Sequence, residues 1–190
     1  MSQVEIRLAM GADLPALRDL QERSLRVLGR QRYTATQLEA FITRIGTMDD
    51  YLVSDRTYLL AEMAGEILGC GGWTTRLPSY ARHAQDKVHV PESSRATVRS
   101  VFVEPLAARR GIGRRIMAAV EDALRREGFQ TAELGATENG CAFYRSVGYQ
   151  AVGPFQVELG KGITMPFTRM RKVLVPANSD DRPSPSLKSA

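Results

Sequence analysis

The stretch Val101 to Arg115, VFVEPLAARRGIGRR, constrains this chain more than any other. Ala96 to Val103 reads as a strand, stopped by Glu104-Pro105 because proline cannot continue a ladder. A long helix starts near Gly111, with Ile112, Ile116, Met117, Val120 and Leu124 as its apolar stripe and Gly128 as its stop. Between strand and helix lies the turn Arg109-Arg110-Gly111-Ile112-Gly113-Arg114. The first turn of a helix carries N–H groups without intrahelical partners, at the positive end of the helix dipole. Glycines let an anion approach that backbone closely, and Arg109, Arg110, Arg114 and Arg115 add charge. A pyrophosphate is the guest this arrangement predicts. The plainer alternative is a solvated basic helix start whose glycines only tighten the turn. No Gly-Lys-Ser/Thr follows, so the turn is not a P-loop. Gly111-Ile112-Gly113 is followed by Arg114-Arg115-Ile116, so it is not a dinucleotide fingerprint either.

The rest of the chain supplies a mixed α/β order around this turn. Residues 4–10 alternate as a half-buried strand. Asp13 and Pro15 suit a helix start, and Leu14, Leu17, Leu20, Leu25 and Leu28 follow roughly helical spacing. A second helix is expected after Tyr33, with Leu38, Phe41, Ile42 and Ile45 on one face. Residues 58–63 and 67–75 read as a hairpin turned at Ala64-Gly65-Glu66. A long loop spans 77–94 and holds both histidines, His83 and His89. After the long helix come a strand at 131–136, a short helix at 139–147 that Asn139 can cap, and strands at 149–159 and 163–173. The predicted order is β-α-α-β-β-β-α-β-α-β-β around one central sheet.

A length of 190 residues suits one domain with a sizeable core. That domain is expected to span 1–175. The tail 176–190, PANSDDRPSPSLKSA, is rich in Pro, Ser and charge and reads as disordered. Lys and Arg exceed Asp and Glu by 5, which suits an anionic ligand and is weak support for nucleic acid. Cys70 and Cys141 make neither a disulfide framework nor a zinc site, so no metal is expected. The opening MSQVEIRL lacks a basic stretch followed by an apolar one, and no apolar run approaches the ~18 residues that span a bilayer. A soluble cytoplasmic protein without a membrane partner is the expectation.

Taken together, these segments resemble the GNAT superfamily of acyl-CoA-dependent N-acetyltransferases. The family motif Q/R-x-x-G-x-G/A opens a helix after a strand ending near a proline. Here it reads Ala108-Arg109-Arg110-Gly111-Ile112-Gly113, with Ala108 in place of the leading Gln/Arg. The stretch Asn139-Gly140-Cys141-Ala142-Phe143-Tyr144 resembles the family's N-x-x-x-F-Y, and the order of elements matches from residue 4 to about 173. The resemblance implies the GNAT fold: a mixed sheet of about six to seven strands, splayed at the cofactor site and flanked by about four helices.

It also implies roles. Acetyl-CoA would be the acyl donor, its pyrophosphate held by Arg109, Arg110, Gly111, Ile112, Gly113 and Arg114. Its pantetheine arm would lie along Val101, Phe102 and Val103 and contact Asn139. A backbone N–H of that strand would polarise the thioester carbonyl. Tyr144 would protonate the departing thiolate, since a phenol with a pKa near 10 arrives protonated at neutral pH. The plain alternatives are a core strand and a packing aromatic. Acetyl transfer would proceed by direct attack of a primary amine in a ternary complex.

The expected base strand offers Thr97 and Arg99 instead of a carboxylate, Glu104 lies at its far end, and His83, Asp86 and His89 read as solvated loop residues, so no base is assigned. Tyr33, Trp73, Tyr80 and Met165 are candidate acceptor-lining residues by position alone, and Cys141 reads as a small packing residue. The acceptor stays open between a small-molecule amine, an aminoglycoside-like compound and a protein amine. A homodimer through the late strands also stays open. Two rival readings remain. One is a non-catalytic acyl-CoA-binding sensor module. The other is a nucleic-acid binder using the arginines of 95–115, against which stands the lack of aromatics or a reading helix beside that charge.

Overall fold

Seven strands alternate with five α-helices along the residues that the computed structural model describes, 3–76 and 95–174. They are β1 (Glu5–Leu8), α1 (Leu14–Gly29), α2 (Ala35–Arg44), α3 (Tyr51–Ser54), β2 (Tyr58–Met63), β3 (Glu66–Thr74) and β4 (Arg95–Val103), followed by α4 (Ile112–Arg126), β5 (Thr131–Thr137), α5 (Cys141–Ser146), β6 (Gln150–Glu158) and β7 (Thr164–Val173). The order matches the sequence expectation, with the one-turn α3 added. Its only fully buried residue, Leu52, is too little periodicity to read from sequence. The expected tail 176–190 and the loop 77–94 lie outside the described residues, as do Tyr80, His83, Asp86 and His89.

The strands form one sheet in the order β1-β2-β3-β4-β5-β7-β6. Every neighbour pair is antiparallel except β4 and β5, which run parallel. That parallel ladder covers only Arg95↔Thr131, Ala96↔Ala132 and Thr97↔Glu133. Beyond it β5 turns to β7, pairing down to Thr137↔Phe167, while β4 stays with β3 up to Gly69↔Val103. The sheet therefore opens into a seam between β4 and β5.

Adjacent β4 residues point to opposite faces. Val101 and Val103 pack with Ile112, Ile116, Met117 and Val120 of α4, whereas Phe102 packs with the buried residues of α1 and α2. This puts α4 on one face of the sheet and α1 and α2 on the other. The apolar stripe of α4 is buried as its spacing predicts, and Gly128 takes φ 85° at its end. Close approach of α4 requires small residues beneath it. A Cβ at Gly69 or Gly71 would fall within 2.8 Å and 2.9 Å of Ile116.

Two expected caps turn out otherwise. The Asp13 carboxylate does not bond the first turn of α1; it accepts from Met10 N–H at 2.7 Å and from Arg7, whose second partner is Glu62 on β2. A strong cation one strand away outcompetes a helix N–H. Asn139 does not cap α5 either: Gly140 is the N-cap, and the Asn139 amide donates to Leu28 O at 3.3 Å.

Candidate functional site

The seam and the helix ends around it enclose a cavity of about 1010 Å³. It passes from the α4 face of the sheet to the α1 and α2 face. On the α4 side it is lined by Arg109, Gly111, Ile112, Gly113, Arg114, Phe143 and Tyr144, with Val101, Phe102 and Val103 along the seam and Asn139 beside them. Nearly all of the expected cofactor residues thus come together. Arg110 is the exception: it is exposed and is not among the residues that line the cavity.

The cradle at the start of α4 is a matter of backbone. Arg109 and Gly111 both have positive φ, 67° and 83°, which curls the chain so that successive N–H groups converge. The N-cap Gly111 has no side chain to accept from the first turn, so the leading N–H groups of α4 keep no cap. A Cβ on Gly113 would lie 3.1 Å from the Phe143 ring, so any side chain there would intrude on the cavity wall. Arg114 is anchored to Ser146 through its carbonyl at 3.2 Å and hydroxyl at 3.0 Å.

Along the seam β4 carries a bulge. Gly72 pairs with Arg99 and Cys70 with Phe102, so β4 has one residue extra, and Ser100 absorbs it with φ 51°. Past the bulge, the Glu104 backbone N–H donates to Leu68 O of β3 at 2.9 Å. By alternation the Phe102 N–H also faces β3, and those of Val101 and Val103 face the seam. The bulge is held by a closed ring of hydrogen bonds. Gln21 Nε2 donates to the Tyr58 hydroxyl at 2.8 Å, and Tyr58 donates to Ser100 O at 2.6 Å. The Ser100 hydroxyl donates to Thr47 O at 2.8 Å, and the Thr47 hydroxyl returns to Gln21 Oε1 at 2.7 Å. Gln21 and Tyr58 are fully buried, so each bond replaces water that cannot reach it.

Tyr144 sits half-buried on the cavity wall, between Phe143 and Tyr149 at ring distances of 5.1 Å and 5.9 Å. Its hydroxyl makes no hydrogen bond within the described residues. Desolvation, followed by the nearby Cys141, pushes this phenol well above its ordinary value, so it carries its proton throughout the neutral range. Asn139 keeps a buried Oδ1 without a partner among the described residues. A buried amide oxygen of that kind fits a ligand N–H.

The acceptor candidates fare differently. Tyr33 is buried; its hydroxyl donates to Pro166 O and accepts from Glu138 N–H, both at 2.8 Å, tying the end of α1 to the β5–α5 loop. Met165 is fully buried beneath α2. Trp73 packs against Phe129, 5.4 Å between rings, on the α4 face. None of the three lines the cavity, because each is spent on packing. Cys141 is buried and donates to Thr137 O at 3.4 Å. Glu104 is paired with Arg23 at 2.7 Å.

Sequence reasoning passed over Thr47, Asp49 and Ser100, all in the lining, and gave Arg99 no role beyond the absence of a carboxylate. Asp49 Oδ2 accepts from Arg99 at 3.1 Å and from the Tyr51 hydroxyl at 3.1 Å. The run Gly46 to Asp50 carries turn residues and no motif, so nothing in it marks a site. Among the described residues no group of three or more His, Cys, Asp or Glu could hold a metal ion, and no helix is long and apolar enough to cross a membrane.

Comparison with known proteins places this geometry. Residues 54–151 match a family model described as an acetyltransferase (GNAT) domain. Curated proteins return no match. Among solved structures, a GCN5-related N-acetyltransferase from Rhodopseudomonas palustris superposes with a TM-score of 0.71 at 19% identity, over 92% of this chain and 98% of that one. The PaiA N-acetyltransferase from Thermoplasma acidophilum, in complex with coenzyme A, gives 0.64 at 16% identity over 90% and 99%. A ribosomal-protein-alanine N-acetyltransferase from Brucella melitensis gives 0.58 at 23% identity over 90% and 99%. These likenesses establish the fold: a seven-stranded mixed sheet opened between β4 and β5.

Proposed function

Since the chain belongs to the GNAT acetyltransferase family, we propose that it transfers the acetyl group of acetyl-CoA to a primary amine by direct attack in a ternary complex. The observation that carries this reading is the open seam meeting the uncapped start of α4 in one cavity. Acetyl-CoA, when bound, supplies the acyl group as a thioester.

The residues present fit that group. The leading N–H groups of α4 take the pyrophosphate oxygens, with Arg109 and Arg114 adding charge that diffuse phosphate binding favours. Arg110, exposed beside them, contributes long-range attraction and no contact. The seam-facing N–H groups of Val101 and Val103 pair with an extended amide-bearing arm as a further strand would. The unpartnered Asn139 Oδ1 accepts from an amide of the same arm. One seam N–H donates to the oxygen on which negative charge develops during attack, a preorganised donor worth on the order of 10²–10³ in rate. The Tyr144 hydroxyl, held neutral by burial and engaged with no partner among the described residues, gives its proton to the departing sulfur. The amine's own proton leaves to water or to a residue of the cavity.

Calorimetry tests the reading. Acetyl-CoA should bind the full chain at micromolar concentration, and Gly113→Trp, which fills the cradle against Phe143, should abolish that binding. Absence of wild-type binding at millimolar acetyl-CoA overturns the reading. Binding without thiol release across a broad amine panel favours the non-catalytic acyl-CoA-binding module instead.

A further inference from the structure

The cavity has two chemically different ends. The α4 end is cationic, with Arg109, Arg114 and the helix start. On the α1 and α2 face the wall is apolar and partly aromatic: Leu25, Leu28, Phe41, Ile45, Val157 and Phe167, with the rings of Phe41 and Phe167 5.8 Å apart. Ser24, Gln31, Thr47 and the ion pair of Arg99 with Asp49 are its polar interruptions. Asp49 is the sole acidic residue among the described residues that line the cavity. Its side chain is 18% exposed, and its two hydrogen-bond partners among the described residues, Arg99 and Tyr51, both use Oδ2. Oδ1 accepts no hydrogen bond within the described residues.

The position of Asp49 is not left to a loose loop. Thr47, two residues before it, is tied on both its carbonyl and its hydroxyl into the ring that holds the β4 bulge. Arg99, the partner of Oδ2, immediately precedes the bulge residue Ser100. The same hydrogen bonds that shape the seam therefore fix the carboxylate beside it.

We propose that Asp49 Oδ1 receives the ammonium of the acceptor, and that the acceptor is an amine with a single cationic nitrogen on an apolar body. The assignment rests on the acetyltransferase reading above. A primary amine is cationic in water, with a pKa near 10 for an alkyl ammonium. It enters an apolar chamber only against an opposite charge and an open acceptor. Asp49 offers both, while its Oδ2 stays anchored. A diamine would leave its second ammonium without a carboxylate partner, since no other carboxylate among the described residues lines the cavity. Asp49 is thus an acceptor-positioning residue, and the apolar wall selects the remainder of the molecule.

The test uses the full chain with acetyl-CoA, following thiol release with 2-phenylethylamine and with putrescine. Wild type should turn over 2-phenylethylamine and discriminate against putrescine. Asp49→Asn should raise the KM for 2-phenylethylamine by about 10- to 100-fold, the size expected for a lost charged hydrogen bond, with kcat within about threefold. Its acetyl-CoA affinity by calorimetry should stay unchanged, which also reports that the variant is folded. Asp49→Glu should recover most of the KM loss. An unchanged amine KM in Asp49→Asn with intact acetyl-CoA binding overturns the role of Asp49. A preference for putrescine, or no turnover of 2-phenylethylamine by a wild type that binds acetyl-CoA, overturns the acceptor class. A wild type that does not bind acetyl-CoA overturns the underlying reading instead.

Discussion

The Tyr58 hydroxyl, at the buried start of β2, donates to the carbonyl of Ser100 at 2.6 Å, on the bulge of β4. A core tyrosine thereby sets the backbone of the strand that borders the seam. Tyr58→Phe removes one bond given and one received, leaving Ser100 O and Gln21 Nε2 short of a partner. The expected cost is about 1–3 kcal/mol of stability. Urea denaturation checks this, and a loss below about 0.5 kcal/mol would show that the ring does not act as a unit.

A Cβ at Gly113 would sit 3.1 Å from the Phe143 ring, tight enough that the ring must give way by a few tenths of an ångström. Gly113→Val should lower acetyl-CoA affinity by at least about tenfold, roughly the 1.4 kcal/mol of a modest overpacking strain. The helix itself should tolerate the change, because residue 113 lies within the first turn of α4. Calorimetry beside a thermal melt separates the two effects.

Tyr144→Phe deletes the hydroxyl and keeps the ring between Phe143 and Tyr149. The expected result is a fall in kcat of about 10²–10⁴-fold with acetyl-CoA affinity nearly unchanged. Because burial raises this phenol, an alkaline limb below about pH 9 in the wild-type rate profile would belong to another group. A variant with wild-type kcat would remove Tyr144 from the chemistry.

Alkaline pH should destabilise the fold. Burial raises the Cys70 thiol from 9.0 to about 11 and the Tyr33 phenol from 10.0 to about 12. The native state keeps these protons where the unfolded chain releases them, so stability is complete below the unfolded values and falls as pH rises through them. The urea midpoint should therefore drop between about pH 9 and pH 12, and Cys70→Ala should lessen the drop over its lower part.

The long-helix segment was legible because its signals are local. The stripe Ile112, Ile116, Met117, Val120 and Leu124 repeats at helical spacing, and all five are buried. Two glycines at the helix start, with arginines around them, carry the cradle in one continuous stretch. The acceptor side was less legible for the opposite reason. Tyr33, Trp73 and Met165 have the side chains of a binding wall, yet each is engaged by a partner distant in sequence, Pro166 for Tyr33 and Phe129 for Trp73. Asp49 and Ser100 stand in stretches without a motif and acquire meaning only through partners on other elements.

By itself, then, the order of residues determined the elements, their sequence along the chain and the glycine-rich start of α4, since these depend on propensities and periodicities spanning a few residues. Tertiary structure alone decided where β4 parts from β5, which face of the sheet receives Asp49, and which aromatic side chains are consumed by packing. Those outcomes arise from pairings such as Thr137 with Phe167 and Tyr58 with Ser100, whose members lie tens of residues apart and meet only when the sheet has closed around them.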